Sequence, residues 1–336
     1  MLFDQLKRRE LITLLGGAAA APSLLWPLAA RAQRPPMPVV GVVTSLSSSF
    51  MERYAPALRE GLNETGYIDG RNVAVEYRSA EGYYDRLPGL VAELIDHKAA
   101  VIVAVGGSDP ARIAKAATDT IPIVFGSAAD PIKAGLVASL NRPGGNVTGV
   151  SLIGSALEAK RLDLLRQLVP GAAPIGVLVD PKYPDADLQL RELQEAAAVI
   201  KRQIVIVRTS TESEIDASFA ALARQGAAAL IVATAPFFTT RREQIVTLAA
   251  RQKLPAIYGV AEFPLSGGLM SYSGDITFSY RQIGIYAGRI LRGEKPANLP
   301  VMQPTKFLFV INLKTAKALG ITFPPGLLAI ADEVIE

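Results

Sequence analysis

Residues 121–126, with the sequence IPIVFG, decide the fold because the chain repeats them as LPAIYG at residues 254–259. Each copy is followed by an acid and a proline, at Asp130-Pro131 and at Glu262-Phe263-Pro264. Three further apolar runs precede each copy in the same order, and the two series lie roughly 130 residues apart. The paired runs are 39–43 with 174–179, 72–77 with 203–207, and 99–104 with 228–233. Repetition of one strand pattern predicts two similar α/β lobes with a cleft between them.

The segments between these runs carry the pattern of amphipathic helices. Every fourth residue is apolar from Phe50 to Leu62, and this pattern stops near Gly66. The strand candidates, such as residues 101–105, are continuously apolar and β-branched, as in parallel sheets that helices cover on both faces. Strand–helix–strand order predicts parallel sheets with right-handed crossovers. We therefore expect an α/β protein of two Rossmann-like lobes.

The repeat also suggests domain boundaries. We expect lobe 1 to span residues 38–151 and lobe 2 to span residues 152–275. A helical pattern after Asp275 has no counterpart in the first copy, so the chain is expected to return to lobe 1 over about residues 276–300. We assign residues 301–336 to lobe 2, although their pattern alone leaves the lobe open. Several crossings between the lobes would form a multi-strand hinge that permits closure.

Residues 1–32 are typical of an export signal and are excluded from the fold argument. A basic start precedes an apolar stretch over residues 11–28, and small residues allow cleavage after Ala32. Residues 8–12 (RRELI) resemble a twin-arginine signal, which serves proteins exported in a folded state. The alternative is a membrane anchor, which the glycines and prolines of the stretch disfavour. We expect the mature protein to lie in the periplasm.

Composition excludes several classes of function. The chain has no cysteine, which excludes disulfides, thiolate metal sites and a lipid anchor on cysteine. The net charge of +4 falls to +2 without the leader, which is too mild for a nucleic-acid binder. His97 is the one histidine, so a Ser-His-Asp triad and a histidine-rich metal site are disfavoured. Phosphate-binding and dinucleotide-binding glycine motifs are also missing, so we expect no cofactor and no catalysis.

Ligands of open parallel sheets bind beyond the carboxyl ends of the strands, which selects candidate loops by position alone. These loops are residues 44–49, 106–109, 126–130, 180–185, 234–238, 259–262 and 273–275. The candidate ligand-binding residues of lobe 1 are Ser45, Ser47, Gly107, Ser108, Asp109, Ser127, Ala128 and Asp130. Those of lobe 2 are Tyr183, Thr234, Phe237, Glu262 and Asp275.

Each candidate also has a purely structural interpretation. Asp109 is placed to cap a helix with Pro110 at its first position, where free N–H groups suit an anion. Asp130 before Pro131 suggests a second helix cap. Tyr183 and Phe237 fall in predicted loops, where aromatic rings either stack on a ligand or pack against their own lobe. Glu262 and Asp275 are candidates to pair with an ammonium group, or are ordinary surface acids.

Residues 121–150 and 293–318 closely resemble the ABC-transporter substrate-binding proteins of the TrpX-like group, and the similarity covers essentially the whole mature chain. The resemblance implies a type I periplasmic-binding-protein fold that closes on a small solute. It also implies delivery of that solute to a membrane permease and its ATPase, by a receptor that we expect to be a monomer. Characterised relatives bind amino acids, often aromatic ones, with helix-end amides at the carboxylate and acids at the amine.

Two positions depart from that pattern, so the identity of the solute stays open. Of the acidic cluster that amino-acid-binding relatives tend to carry after the strand near residues 256–258, only Glu262 remains. Asp109 stands where a hydroxyl residue often precedes the proline, and its charge would repel a carboxylate. A neutral, cationic or non-amino-acid aromatic solute is therefore also possible. Two other functions stay open: an exported enzyme that uses Glu262, Asp275 and Asp130, and a ligand sensor for a signalling receptor.

Overall fold

The computed structural model describes residues 37–127, 130–151, 157–303 and 306–336. The predicted export signal and Ala128 lie outside these ranges. Over the described ranges, no helix has both the length and the apolar character needed to cross a membrane.

The first sheet is fully parallel. Its strands are β1 (Val39–Thr44), β2 (Ala74–Ser79), β3 (Val101–Val105), β4 (Ile123–Ser127) and β5 (Val147–Ser151), in the spatial order β2-β1-β3-β4-β5. Three helices follow the first three strands: α1 (Ser48–Glu64), α2 (Leu87–Asp96) and α3 (Asp109–Ala117). A short 3-10 turn over Tyr84–Arg86 precedes α2.

Helices on both faces explain why these strands are continuously apolar. Along β3, Val101 and Val103 pack into a core with α1, whereas Ile102 and Ala104 pack into a second core with α2 and α3. Successive strand residues point to opposite faces, so a sheet covered on both sides needs apolar side chains at every position.

The second sheet has seven described strands in the order β12-β11-β10-β9-β8-β6-β7. They are β6 (Ile175–Val179), β7 (Ile204–Arg208), β8 (Ala229–Val232), β9 (Ala256–Tyr258), β10 (Met270–Gly274), β11 (Phe307–Asn312) and β12 (Glu333–Ile335). Its helices are α4 (Glu158–Leu168), α5 (Ala186–Val199), α6 (Glu212–Arg224), α7 (Pro236–Thr240), α8 (Arg242–Arg251) and α9 (Glu262–Leu265). Of its strand pairs, β10 with β11 is antiparallel and the others are parallel.

The predicted repeat is confirmed strand by strand. The four runs of the first copy form β1 to β4, and the four runs of the second copy form β6 to β9. Both sets have the same spatial order, β2-β1-β3-β4 and β7-β6-β8-β9. The repeated apolar pattern therefore predicted the strands, and the structure shows that the two copies also share one spatial order.

After β10 the chain returns to the first sheet. Helix α10 (Ile276–Leu291) packs along α1, and the two backbones approach so closely that a β-carbon at Gly284 would lie 2.1 Å from the carbonyl oxygen of Leu58. Met302 then pairs with Val150 at the edge of β5. The chain goes back to the second sheet as β11 and continues through α11 (Leu313–Leu319), α12 (Pro325–Ala329) and β12. Below, lobe 1 means the first sheet with α1, α2, α3 and α10, and lobe 2 means the second sheet with its helices.

Candidate ligand-binding site

The carboxyl ends of strands from both sheets face one gap. Loops after β1, β2 and β3 of lobe 1 contact loops after β6, β8 and β9 of lobe 2. In parallel α/β sheets this edge is where ligands bind, because backbone and helix ends converge there. The gap between the lobes is therefore the candidate site.

An apolar cavity of about 70 Å³ lies in this gap, and both lobes line it. Three of its walls are aromatic: Phe50 and Tyr280 from lobe 1 and Tyr183 from lobe 2. The other lining residues are Leu46, Gly106, Gly107, Thr234, Ala235, Pro236, Thr239, Val260 and Ile276. Pockets for drug-sized ligands are usually at least about 300 Å³, so a solute of amino-acid size requires the lobes to separate and reclose around it.

Two glycines allow the loop after β3 to approach the other lobe. Gly106 and Gly107 have φ of +88° and +114°, a region that favours glycine. A β-carbon at Gly107 would lie 3.0 Å from Cε2 of Tyr183. The glycine pair thus lets a lobe 1 loop touch an aromatic ring of lobe 2.

Two buried hydroxyl groups beside the cavity have no hydrogen-bond partner among the described residues. They are Oγ1 of Thr234, which lines the cavity, and Oγ of Ser45, at the end of β1. Thr239 lines the same cavity, but its hydroxyl donates to the carbonyl of Ala235 in its own helix. Buried polar atoms normally have partners, so the free hydroxyls are candidate contacts for a polar group of the solute.

The backbone of Thr234 is held by buried polar groups. Its carbonyl accepts from Nε2 of Gln189 at 2.8 Å, and its N–H partly offsets the rise in pKa that burial causes at the Glu158 carboxyl. Glu158 in turn pairs with Arg161 at 2.6 Å, and neither side chain is exposed. Arg161 Nε also donates to the carbonyl of Tyr272 in β10. The ion pair therefore connects the start of α4 with two strands of lobe 2 and fixes the loop that carries Thr234.

Among the described residues, three of the hydrogen bonds between the lobes have a carboxylate of lobe 2 as acceptor. Tyr54 donates to Glu262, Tyr84 donates to Asp180 at 2.9 Å, and Ser108 donates to Asp185 at 3.4 Å. Burial raises the pKa of all three carboxyl groups above the ordinary range. Burial and the neighbouring carboxylates likewise raise the pKa of Tyr54 and Tyr84, so both hydroxyls remain protonated donors.

A second, polar cavity of about 530 Å³ adjoins the first, and we call it the vestibule. It is lined by Ser108, Arg112, Asp130, Lys133, Ala134, Pro184, Asp185, Asp187, Leu188 and Arg191. Gly107 and Tyr183 line the apolar cavity, and their chain neighbours Ser108 and Pro184 line the vestibule. The gap thus contains an apolar space and a charged space side by side.

Another cavity, of about 310 Å³, belongs to lobe 1 alone. It lies between α1 and β2, with Met51, Arg59 and Tyr77 among its walls. Lobe closure would not enclose a ligand there, so we place the candidate site in the gap. In the described part of the chain, no group of three or more histidines, cysteines and acids is placed to hold a metal ion.

The structure brings some of the predicted residues to the gap. Gly107, Tyr183 and Thr234 line the apolar cavity, and Ser45 is buried beside it. Ser108 and Glu262 make contacts between the lobes. Ser127 is buried at the end of β4, and Ala128 lies outside the described residues.

The remaining predicted residues have local structural partners. Ser47 caps α1 by accepting from the N–H of Phe50, and Asp275 caps α10 by accepting from the N–H of Phe278 at 2.9 Å. Asp130 accepts from two backbone N–H groups of its own turn and also lines the vestibule.

Three local predictions were wrong. Asp109 is not the cap of α3: Ser108 holds that position, and Asp109 begins the helix and pairs with Arg112 at 2.9 Å. No helix begins at Pro131, because the hydrogen bonds that Asp130 accepts close a turn over residues 131–135. Phe237 is not in a loop: it lies in α7 and packs in the core of lobe 2. The Asp109 carboxylate pairs with an arginine instead of the backbone, the Asp130 carboxylate bonds its own turn, and the Phe237 ring packs against residues distant in sequence.

Sequence reasoning missed Tyr54, Tyr84, Asp180 and Asp185 as individual residues. The two aspartates do lie in a loop that strand position had selected, so position was an available signal. The tyrosines gave no such signal, because Tyr54 follows the apolar helical pattern and Tyr84 precedes a helix.

Comparisons with known proteins agree with this geometry. The model of the family described as ABC transporter substrate binding protein matches residues 39–335. A "Tyrosine-binding protein" of Clostridioides difficile (strain R20291) is 27% identical over 284 residues, which cover 83% of this chain and 80% of that protein. A crystal structure from Streptococcus pneumoniae, in complex with L-Trp, is 26% identical with a TM-score of 0.79 and covers 89% of this chain and 99% of that one. A conserved domain protein of Vibrio cholerae is 25% identical with a TM-score of 0.81, over the same shares of the two chains.

Proposed function

The chain belongs to the family of ABC transporter substrate-binding proteins, and from this premise we propose that its lobes close on an aromatic amino acid or a related small aromatic solute. As a member of that family it is a solute-binding receptor of an ABC importer. The observation that carries the finer proposal is the apolar cavity between the lobes, with its three aromatic walls and its free hydroxyl of Thr234. Aromatic walls favour stacking on a ring, and a buried hydroxyl without a partner favours a polar group on the same solute.

Two relatives support this choice of solute. One is named for tyrosine binding, and the other was crystallised with L-Trp. Both ligands combine an aromatic ring with a charged head, which matches an apolar cavity beside a charged vestibule. The three acids on which the alternative of an exported enzyme depends lie in three separate contacts: Glu262 with Tyr54, Asp275 at the start of α10, and Asp130 in its turn.

A binding screen tests the proposal. We expect L-tyrosine, L-tryptophan or L-phenylalanine to raise the melting temperature, because a ligand that binds only the folded state stabilises it by mass action. L-leucine, L-glutamate and D-arabinose should have little effect. If the last three stabilise the protein and the aromatic compounds do not, the proposed solute class is wrong.

A pair of threonine variants tests the site. Thr234→Val removes the free hydroxyl at nearly constant volume and should weaken binding of the stabilising ligand by roughly 2- to 10-fold. Thr239→Val is the matched control, because its hydroxyl already bonds within its helix. Equal losses in both variants would argue against a specific contact at Thr234.

We further propose that residues 1–32 direct export through the twin-arginine pathway and that the protein works in the periplasm with a permease and its ATPase. Substitution of Arg8 and Arg9 by lysine should retain the protein in the cytoplasm. Fractionation of cells that express the two forms measures this. Periplasmic delivery of both forms would show that the arginine pair is not the signal.

A further inference from the structure

The cavity between α1 and β2 lies within lobe 1, outside the gap, and we call it the lobe 1 cavity. Its volume is about 310 Å³. Its walls come from one face of α1, at residues three or four apart between Ser48 and Arg59, and from the end of β2 at residues 77–79. A dry cavity of about 150 Å³ already accommodates benzene. The lobe 1 cavity therefore has room for a molecule with one ring.

Tyr77 supplies an unused hydrogen-bond donor at this cavity. Its hydroxyl is buried and has no hydrogen-bond partner among the residues that the structure describes. The neighbouring hydroxyl of Tyr280 is engaged, because it donates to Sδ of Met51 at 3.6 Å. Burial raises the pKa of Tyr77, so its hydroxyl stays protonated. A buried donor without a partner is costly, and a ligand oxygen in the cavity would supply the acceptor.

The charges around the cavity favour an uncharged ligand. Nε of Arg59 lies 2.9 Å from Asp69, and Nε of Arg78 lies 2.8 Å from Glu93. Both arginines are thus paired already, so a carboxylate would lose its hydration without gaining an unpaired cation. The remaining charged wall residue, Glu52, is exposed, and an ion pair in that position is worth little.

The apolar part of the walls suits an aromatic ring. Met51 and Ala55 line the cavity, and both are buried. A methionine thioether makes favourable contacts with the edge of an aromatic ring. The guanidinium of Arg59 lies 5.5 Å from the centre of the Tyr77 ring and helps to hold that ring in place.

We propose that the lobe 1 cavity is a second binding site, for a small uncharged compound of the phenol class. The ring of this compound lies against Met51 and Ala55, and its oxygen accepts a hydrogen bond from Tyr77. The inference goes beyond the proposed function, because the site lies outside the gap and holds whichever solute the gap binds. Met51 also contacts Tyr280, a wall of the interlobe cavity, so the two sites are neighbours.

NMR titration of the purified protein with phenol tests the site, and saturable binding should appear below roughly 10 mM. Tyr77→Phe should weaken phenol binding by roughly 2- to 10-fold, because one hydrogen bond is lost. The same variant should change toluene binding by less than about 2-fold, because toluene has the ring without the oxygen. Tyr272→Phe is the matched control: Tyr272 lies in lobe 2 and lines neither the lobe 1 cavity nor the interlobe cavity.

A second pair of variants separates the lobe 1 cavity from the gap. Ala55→Leu adds bulk to the lobe 1 cavity, and Ala235→Leu adds the same bulk to the interlobe cavity. Ala55→Leu should weaken phenol and toluene by at least roughly 10-fold, whereas Ala235→Leu should change both by less than about 2-fold. Melting temperatures of the ligand-free variants check that they fold. If Ala55→Leu does not fold, Tyr77→Phe still decides, since it removes one buried oxygen.

Benzoate and benzylamine test the chemical class, because each carries a charge on the same ring. Both should bind at least roughly 10-fold more weakly than phenol. Tighter binding of either would overturn the proposed class of ligand. Failure of phenol to saturate the protein, or a loss of binding in Ala235→Leu but not in Ala55→Leu, would overturn the site. Equal losses of phenol and toluene in Tyr77→Phe would assign the hydroxyl a structural role and also contradict the inference.

Discussion

The hydroxyl of Tyr84 in lobe 1 donates a 2.9 Å hydrogen bond to Oδ2 of Asp180 in lobe 2. The backbone N–H of Phe237, also in lobe 2, lies near the same hydroxyl and partly offsets the rise in its pKa. The ring of Tyr84 lies 6.5 Å from that of Tyr183, so one lobe 1 side chain lies against two segments of lobe 2, the loop after β6 and helix α7. These contacts require the closed arrangement, because Tyr84 follows β2 and its partners belong to the second sheet.

Tyr84→Phe should shift the protein toward the open arrangement. Loss of one hydrogen bond costs about 0.5–1.5 kcal/mol, or roughly 2- to 10-fold in apparent ligand affinity. Small-angle scattering of the ligand-free protein should show a larger radius of gyration. Tyr67→Phe is the control, because Tyr67 lies in lobe 1 and no described bond joins it to lobe 2. Identical scattering and affinity in both variants would contradict a closing role for Tyr84.

Closure of the ligand-free protein should depend on pH. Burial raises the pKa of Asp180 and Glu262 in the closed form above the ordinary carboxyl value of about 4. Each group therefore favours closure fully below its open-form pKa, and that contribution is lost as pH rises through its closed-form pKa. Scattering between pH 4.5 and pH 8 should show progressive opening of the protein.

Glu262→Gln is the control for this pH dependence. Glu262 faces Tyr54, Arg53 and Tyr280, and the amide mimics its protonated form. The variant should be less sensitive to pH than the natural protein. Opening as the pH falls would have the wrong sign and would refute this account.

The buried pair of Glu158 and Arg161 should matter for stability and for binding. Arg161→Met leaves an uncompensated buried carboxylate and should lower the unfolding free energy by about 3–5 kcal/mol. It should also weaken ligand binding, because the Glu158 carboxylate interacts with the backbone N–H of Thr234. Urea titration and calorimetry measure the two effects. The double variant Glu158→Gln with Arg161→Met should lose less stability than the sum of the single losses, and strict additivity would count against coupling.

The crossing of α1 and α10 should not tolerate a methyl group. Gly284→Ala places a β-carbon 2.1 Å from the Leu58 carbonyl oxygen, so the helices must separate at a cost of about 1–3 kcal/mol or more. Gly89→Ala is a control that should change stability in the opposite direction. Gly89 lies in α2, and nothing lies within 4 Å of its added β-carbon, so the variant should gain about 0.5–1 kcal/mol from helix propensity. Equal thermal stability in the two variants would be inconsistent with this packing.

The sequence predicted the fold far better than it predicted the site. Strands such as β3 and β8 are buried on both faces, so every residue in them is apolar and the strand can be recognised in the sequence. Thr234 and Gly107, which line the cavity between the lobes, were selected because the ends of such strands lie at the ligand-binding edge of a parallel sheet. Asp185 and Tyr84 escaped individual prediction because their partners are residues 77 and 96 positions away in the other lobe. The apolar pattern along a short segment predicts a strand, whereas a contact between the lobes depends on how the two folded lobes face each other.

Because strand β11 runs antiparallel to β10, it allows the motion of the two lobes to be followed with probes near the ends of the mature chain. β1 begins at the edge of its sheet remote from the ligand, and β12, parallel to β11, ends at the remote edge of the other sheet. The start of β1 and the end of β12 therefore lie at the edges of the two sheets that face away from the gap, and rotation of one lobe against the other changes the distance between them. Fluorophores attached near the start of β1 and the end of β12 would measure this distance by energy transfer. A change in transfer on addition of solute would report closure of the lobes in real time.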